Sequence, residues 1–127
     1  MTVYVLNGAK AKEFKKLCNT LSLADGATEQ MLLDNGFTNF NEPYFYFAKP
    51  IIYDDKYPVS FTITISKKTM KIKEISIMDN QFGQPHFCDE TALNQINQYV
   101  NELIEKKDIE KGRLIADLIF SLVHAIL

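Results

Sequence analysis

The segment from Val59 to Ser66 constrains the fold of this chain more than any other part of the sequence. Large apolar residues alternate in it with small hydroxyl-bearing ones: Val59, Phe61, Ile63 and Ile65 against Ser60, Thr62, Thr64 and Ser66. Because successive side chains of a strand point to opposite faces, this alternation predicts a β-strand with one face in the core. A strand needs partners, so the chain must contain a sheet.

Neighbouring segments supply further strands. Tyr44–Phe47 is rich in aromatic residues and lies between Pro43 and Pro50, which predicts an edge strand because proline donates no hydrogen bond to a neighbour. After a turn at Lys67–Lys68, residues 70–78 are predicted to return as the next strand. The apolar positions of that strand change parity, which predicts a β-bulge near Lys73–Glu74.

Helical periodicity flanks this central region. Residues 9–23 place apolar side chains on one stripe and are predicted to form a helix that ends at Asp25-Gly26. Thr28 is predicted to cap a short second helix that closes at Asn35-Gly36. Further on, Asp89 is predicted to cap a helix that runs to about Lys106, and Asp108 a final helix. Residues 2–6 are read either as a short strand or as a lead-in to the first helix.

These elements predict an α+β fold in a single domain of residues 1–127. A helical hairpin over 1–37 precedes an antiparallel meander of three to four strands over 43–78, and two C-terminal helices occupy 89–127. The length of 127 residues is typical of one domain, and 46% hydrophobic with 24% charged residues is typical of globular proteins.

The last predicted helix is apolar around most of its circumference. From Leu114 onward its strongly polar residues are Asp117, Ser121 and His124, which with Arg113 form one narrow stripe. Burying each large aliphatic side chain is worth about 1.5–3 kcal/mol, so the helix is expected against the sheet, against a second copy, or against both. We predict a homodimer; its self-association residues are Leu118, Phe120, Leu122 and Ile126. A helix buried wholly within its own chain is the alternative, and a membrane span is disfavoured by the short length and the internal Asp.

Charge and cysteine usage limit the partners and the compartment. The net charge of −2 argues against general attraction to nucleic acid, although the basic run Lys10–Lys16 and the aromatic strand leave a weak nucleic-acid binder open. The two cysteines, Cys18 and Cys88, are predicted to be reduced, which favours the cytoplasm. The first twenty residues lack the apolar region of a signal peptide.

The densest group of reactive side chains is His86-Phe87-Cys88-Asp89. A Cys–His pair can supply a thiolate nucleophile, and three such ligands can bind zinc, but the sequence offers no second cluster that would complete either site. Motifs for phosphate loops, serine hydrolases and zinc proteases are missing as well. We therefore predict no catalytic residues, no metal and no cofactor, and keep an enzyme based on Cys88 and His86 as an alternative.

Aromatic side chains are the best candidates for contacts with a partner protein, because aromatic residues dominate interface hot spots. The predicted partner-binding residues are Tyr44, Tyr46, Tyr53, Tyr57, Phe82, His86 and Phe87.

Two motifs carry a resemblance to a group of proteins. Asn35-Gly36-Phe37 precedes the aromatic strand, and a D-x-x-F-x-Q-P-aromatic pattern is matched by Asp79, Phe82, Gln84 and Pro85, with His86 at the aromatic position. The chain in this respect resembles small uncharacterised bacteriophage and mobile-element proteins of Gram-positive bacteria, over about residues 31–107. The resemblance implies a phage-type accessory protein and carries over no catalytic residue.

The predicted function is a non-catalytic binding protein that masks a host protein, as an anti-defence inhibitor of the anti-CRISPR type. The alternative is an oligomeric sponge for a nucleotide-like signalling ligand, which Tyr and Lys side chains near the connection at residues 53–57 would hold.

Overall fold

A computed structural model describes residues 1–40 and 43–112. Their elements, in chain order, are β1 (Thr2–Tyr4), α1 (Ala11–Cys18), β2 (Leu21–Leu23), α2 (Glu29–Asp34), β3 (Tyr44–Tyr53), β4 (Lys56–Ser66), β5 (Lys71–Asp79), α3 (Glu90–Glu105) and β6 (Ile109–Lys111). The predicted α+β class is confirmed.

The main sheet has the strand order β1-β5-β4-β3. β3, β4 and β5 pair antiparallel in sequence order, whereas β1 joins β5 in parallel, so the sheet is mixed rather than purely antiparallel. β3 lies at the edge of the sheet, as predicted from Pro43 and Pro50, but it extends through Pro50 to Tyr53. The register between β4 and β5 shifts at Thr64/Ile65 and leaves Lys73 without a paired residue. The bulge predicted near Lys73–Glu74 is thus confirmed.

The alternation in β4 defines the two faces of the sheet. Its four apolar side chains are fully buried, and Phe61 packs edge-to-face with Phe14 of α1 and with Phe47 of β3, with ring centroids 6.3 and 6.4 Å apart. Ile96 and Val100 of α3 belong to the same core. The helices therefore cover the apolar face, as the one-sided pattern of β4 requires.

The predicted helical hairpin over 1–37 is wrong. α1 ends at Cys18, where the Thr20 hydroxyl donates to the Leu17 carbonyl at 2.7 Å, and Leu21–Leu23 form β2 instead of a further helical turn. β2 pairs antiparallel with β6 as a separate two-stranded sheet. Leu21 fits the apolar stripe of a helix and the buried face of a strand equally well. The pairing with β6, far away in the sequence, determines that residues 21–23 form a strand.

The predicted final helix capped by Asp108 is also wrong at its start, because Ile109–Lys111 form β6. Lys107 takes the left-handed conformation at φ 63° and turns the chain out of α3, toward β2. The predicted self-association residues, Leu118, Phe120, Leu122 and Ile126, lie outside the described residues. By contrast, Asp89 does cap α3, and its carboxylate accepts the Ala92 N–H at 2.9 Å.

Asp108 is a fully buried carboxyl group at the junction of α2, α3 and β6. Its Oδ1 accepts a hydrogen bond from the Asn35 amide at 3.0 Å, and within the described ranges Oδ2 has no hydrogen-bond partner. Burial raises the pKa of Asp108 above the ordinary value of an aspartate, and the Asn35 bond opposes this only in part.

This buried carboxyl group predicts a specific pH dependence of stability. Since the raised pKa means that the folded state holds the proton more tightly than the unfolded state, Asp108 stabilises the fold below its unfolded pKa of about 3.9 and loses this contribution as the pH rises through the folded pKa. Subtracting the urea unfolding free energy of Asp108→Asn from that of the parent at each pH from 3 to 8 isolates this effect. The difference should fall with rising pH; a difference that is flat or rises contradicts the assignment.

The outer edge of β3 is closed by side chains instead of a strand. The Gln95 side chain of α3 accepts the Ile52 N–H at 2.7 Å and donates to the Ile52 carbonyl at 2.9 Å, while the Tyr99 hydroxyl donates to the Pro50 carbonyl at 2.8 Å. At the other end of β3, Thr38 pairs with Tyr46 through two backbone hydrogen bonds. α3 thus binds the sheet edge as well as the core.

Candidate functional site

The loop that follows β5 is organised by one carboxylate. Oδ1 of Asp79 accepts the backbone N–H groups of Gln81 at 3.1 Å and Phe82 at 2.6 Å, and Oδ2 accepts that of Gln84 at 3.1 Å. These bonds, led by that from Phe82, lower the pKa of Asp79 below the usual aspartate value. Gly83 provides the left-handed turn that the loop needs, at φ 67°. The conformation of this loop is therefore set by hydrogen bonds to an ionised group.

Asn80 ties the same loop to the start of β4. Its side-chain amide donates to the Tyr57 carbonyl at 2.6 Å, its side-chain oxygen accepts from the Ser60 hydroxyl at 2.7 Å, and its backbone N–H donates to the Pro58 carbonyl at 2.8 Å. The loop after β5 and the first residues of β4 are consequently joined by three hydrogen bonds.

Four aromatic residues lie at this end of the sheet, and we call them the loop-end surface: Tyr57, Phe82, His86 and Phe87. Phe82 is 73% exposed, Tyr57 58% and Phe87 53%, while the half-buried His86 ring packs edge-to-face on Phe87 at 5.8 Å. Phe82 and His86 also line a shallow cavity of about 460 Å³ together with Pro58 and Asn80. Single exposed apolar side chains are common, whereas a contiguous exposed patch of them is typical of an interaction site.

The other three predicted contact residues lie elsewhere. Tyr44 and Tyr46 are at the opposite end of the sheet, on the hydroxyl-rich face, and the Tyr44 hydroxyl accepts a hydrogen bond from Lys73. Tyr53 is half-buried, and its hydroxyl donates at 2.9 Å to Asp89, the residue that caps α3; burial and this carboxylate raise the pKa of Tyr53. The seven residues do not form a single surface, and Tyr53 has a structural role.

Sequence reasoning missed two participants. Leu6 is 45% exposed, and its backbone N–H donates to the His86 carbonyl at 2.9 Å, which adds an aliphatic side chain beside Phe87. Asn80 holds the loop in place. The Asp79-Asn80 pair directly after a strand is a turn signal, but the target of the Asn80 amide depends on the β4–β5 register.

The structure also shows the surroundings of His86 and Cys88. The Cys88 side chain is fully buried beside the Asp89 carbonyl, and burial raises its pKa to about 11, so the group is a thiol at neutral pH. The His86 Nδ1 lies 3.0 Å from the Phe87 carbonyl. Within residues 1–40 and 43–112, no three or more His, Cys, Asp or Glu side chains are grouped as metal ligands would be.

The β3–β4 turn beside Tyr57 holds two aspartates in the left-handed conformation, Asp54 at φ 46° and Asp55 at φ 62°. Two-residue hairpin turns require this geometry, and glycine is preferred at the second position because a Cβ atom is disfavoured there. Asp55→Gly should therefore raise the free energy of unfolding by about 1 kcal/mol.

The matched control for this turn is Asp55→Ala, which removes the same charge but keeps Cβ. It should lower stability or leave it unchanged in the same urea titration. Equal gains for the two variants would show that charge repulsion, not backbone conformation, limits the turn.

In the part of the chain that the structure covers, no helix has both the length and the apolar character needed to cross a membrane.

Comparison with known proteins identifies a similar fold. No protein-family model matches the chain, and no curated protein matches it by sequence. Among solved structures, the chain is similar to a DUF1831 family protein from Lactobacillus plantarum, with a TM-score of 0.60 and 14% identity. The match covers 72% of this chain and 86% of that one. At this identity, the likeness extends to the fold alone.

Proposed function

We propose that this chain is a non-catalytic binding protein that covers a site on a partner protein with its loop-end surface. The observation that carries the proposal is the exposure of Phe82 on a loop that Asp79 and Asn80 hold in one conformation, with exposed Tyr57 in β4 and exposed Phe87 after the loop. Aromatic side chains bury large areas on binding and are the commonest interface anchors.

The rigidity of the loop supports binding in a second way. A flexible loop would lose conformational entropy on binding, whereas this loop is already ordered by three bonds to Asp79 and by the Asn80 contacts to the start of β4. Phe82 is thus presented in a fixed position.

Charge indicates the chemistry of the partner. Asp54 and Asp55 are exposed in the turn beside Tyr57. A partner surface with an apolar pocket for Phe82 and basic residues facing the turn complements both features. Its rim charges would mainly raise the association rate.

The biological setting that we propose comes from the sequence resemblance. A phage-type accessory protein would act in the cytoplasm of a host bacterium, with a host protein as its partner and a defence component as the target of its inhibition. The alternative, a nucleotide-like ligand held at the β3–β4 turn, has less support because the Tyr53 hydroxyl is bound to Asp89.

The test compares three forms of the chain in capture from a host lysate: the parent, Phe82→Ala and Phe40→Ala. Phe40 is 91% exposed and is no part of the loop-end surface, so its substitution is a matched control for the loss of an exposed phenylalanine. We expect the parent and Phe40→Ala to retain the same host protein. In calorimetry with that protein, Phe82→Ala should bind at least tenfold more weakly than the parent does.

Equal retention by all three forms would overturn the proposal that the loop-end surface binds. A thermal shift with nucleotides but no captured protein would favour the alternative ligand instead.

A further inference from the structure

The main sheet has a second face, turned away from the helices, which we call the hydroxyl face. It carries the polar half of the β4 alternation, Ser60, Thr62, Thr64 and Ser66. The register places Ser76 of β5 beside Thr62, and the two hydroxyl groups are hydrogen-bonded to each other. Small side chains therefore occupy the middle of this face, so a ligand that lies across it would meet the larger side chains of the outer strands, β1 and β3.

Two exposed tyrosines flank this middle region. Tyr4 of β1 pairs with Ser76 and is 40% exposed, and Tyr46 of β3 pairs with Thr64 and is 37% exposed. Their strands are separated by three strand spacings of about 4.8 Å, or about 14 Å in all. Nucleic-acid bases stack on exposed aromatic rings of this kind, but only where the bases are unpaired and can turn outward. The two rings thus suit a single strand rather than a duplex.

Positive charge is concentrated where this face meets the β4–β5 turn. Four lysines lie within seven residues there: Lys67, Lys68, Lys71 and Lys73. The Lys73 ammonium lies 4.2 Å from the centre of the Tyr44 ring and donates to the Tyr44 hydroxyl. Because an ammonium has three N–H donors, it can bind a phosphate as well. The exposed Asp54 and Asp55 lie in the turn at the other end of β4, so the net charge of −2 does not prevent attraction of a phosphate backbone here.

We propose that the hydroxyl face binds single-stranded RNA next to the β4–β5 turn. Bases stack on Tyr46 and Tyr4, and the phosphates pair with Lys73 and with Lys71, which lies opposite Ser66 on this face. Aromatic rings and basic side chains provide the two parts of single-strand binding, stacking of the bases and neutralisation of the backbone. This site is separate from the loop-end surface, so the inference does not rest on the proposed function.

Glu74 favours RNA over DNA as the ligand. It is half-buried, and the register places it between Thr64 of β4 and Thr2 of β1, on the hydroxyl face. A carboxylate repels a phosphate but accepts hydrogen bonds, and the ribose 2′-hydroxyl, which DNA lacks, can donate one. A sugar of the bound strand is therefore expected above Glu74, with the phosphates displaced toward the lysines.

The test uses the full chain and a short fluorescein-labelled RNA of mixed sequence, with the affinity measured by fluorescence anisotropy. We expect the single strand to bind at least about fivefold more tightly than the same RNA as a duplex, DNA of the same sequence, or polyglutamate of equal length. Equal affinity for the duplex or for polyglutamate would show attraction by charge alone and would overturn the proposal. Equal affinity for DNA would overturn the assignment of RNA, and no binding of RNA would overturn both.

Two matched pairs of variants locate the site. Tyr46→Ala should weaken RNA binding at least about fivefold, whereas Tyr57→Ala, which removes an exposed tyrosine at the other end of the sheet, should leave it within about twofold. Lys73→Gln should make the slope of log affinity against log salt concentration shallower by about 0.7, the value for one phosphate of a single strand, and Lys12→Gln on α1 should not. Equal effects within either pair would overturn the proposal.

Discussion

Phe61→Ala is expected to lower the free energy of unfolding by about 3–5 kcal/mol. Phe61 is fully buried in β4 and joins two layers, because its ring packs edge-to-face on Phe14 of α1 and on Phe47 of β3. Alanine would leave a cavity between sheet and helix that rigid strands cannot close. Domains of this kind are stable by about 5–15 kcal/mol, so the variant should lose a large share of its total stability.

The measurement is chemical denaturation followed by circular dichroism, with Phe82→Ala as the control. Phe82 is largely exposed, and its loss should change stability by at most about 0.5 kcal/mol. A loss below about 1 kcal/mol for Phe61→Ala would mean that the helices do not pack on this face of the sheet.

Gly8→Ala should be the next most damaging change, with a loss of about 1–3 kcal/mol. A Cβ atom at Gly8 would lie 2.8 Å from the Cys88 carbonyl oxygen and 3.2 Å from the Cys88 nitrogen. Both neighbours are backbone atoms directly before α3, and the Lys10 bond to the Cys88 carbonyl holds the two segments together. The clash can be relieved only by separating the starts of α1 and α3.

A loss of stability in Gly8→Ala would be direct evidence for the contact between Gly8 and Cys88. Where a Cβ atom fits, Gly→Ala usually stabilises a protein by about 0.4–1 kcal/mol, because alanine restricts the unfolded chain. Gly112→Ala is the control, since among residues 1–40 and 43–112 the added atom meets only the Thr20 carbonyl oxygen, at 3.4 Å. A gain in stability for Gly8→Ala would show that the two segments are not in contact.

The parts of the fold that sequence reasoning identifies are those with strong local signals. The alternation in β4 predicts that its four apolar side chains are buried, although Thr62 and Thr64 on the other face are buried as well. Asp89 marks the start of α3 because a carboxylate before an apolar periodic stretch is a common helix cap. In these two elements, local pattern and tertiary environment agree.

The small β2–β6 sheet illustrates what sequence reasoning could not predict. Each of its strands has three residues, too few for a periodicity to be distinguished, and each exists because of the other. After α3 the chain turns at Lys107, which is in the left-handed conformation. This conformation is usually taken by glycine or asparagine after a helix, so a lysine gave no indication of it. The helix predicted over residues 9–23 was wrong in its last turn, and the helix predicted after Asp108 was wrong at its start, for the same reason: a pairing between distant segments.

The aromatic residues of the candidate site could be chosen from the sequence, but which of them lie together in the fold could not. Phe82, Tyr57, His86 and Phe87 were chosen because exposed aromatics bind partners, and the structure places these four at one end of the sheet. Tyr53 has the same chemistry but is engaged by Asp89, a contact between β3 and α3 that only the folded chain creates.

The closed edge of β3 has a consequence for how the protein behaves when concentrated. A strand of ten residues at the margin of a sheet is a template on which a neighbouring molecule can add its own strand, and repeated addition leads to filaments. The Gln95 amide makes with Ile52 the same pair of bonds that an incoming strand would make. One side chain on α3 thus takes the place of a neighbouring strand at Ile52, and this side chain is part of neither the core nor the loop-end surface.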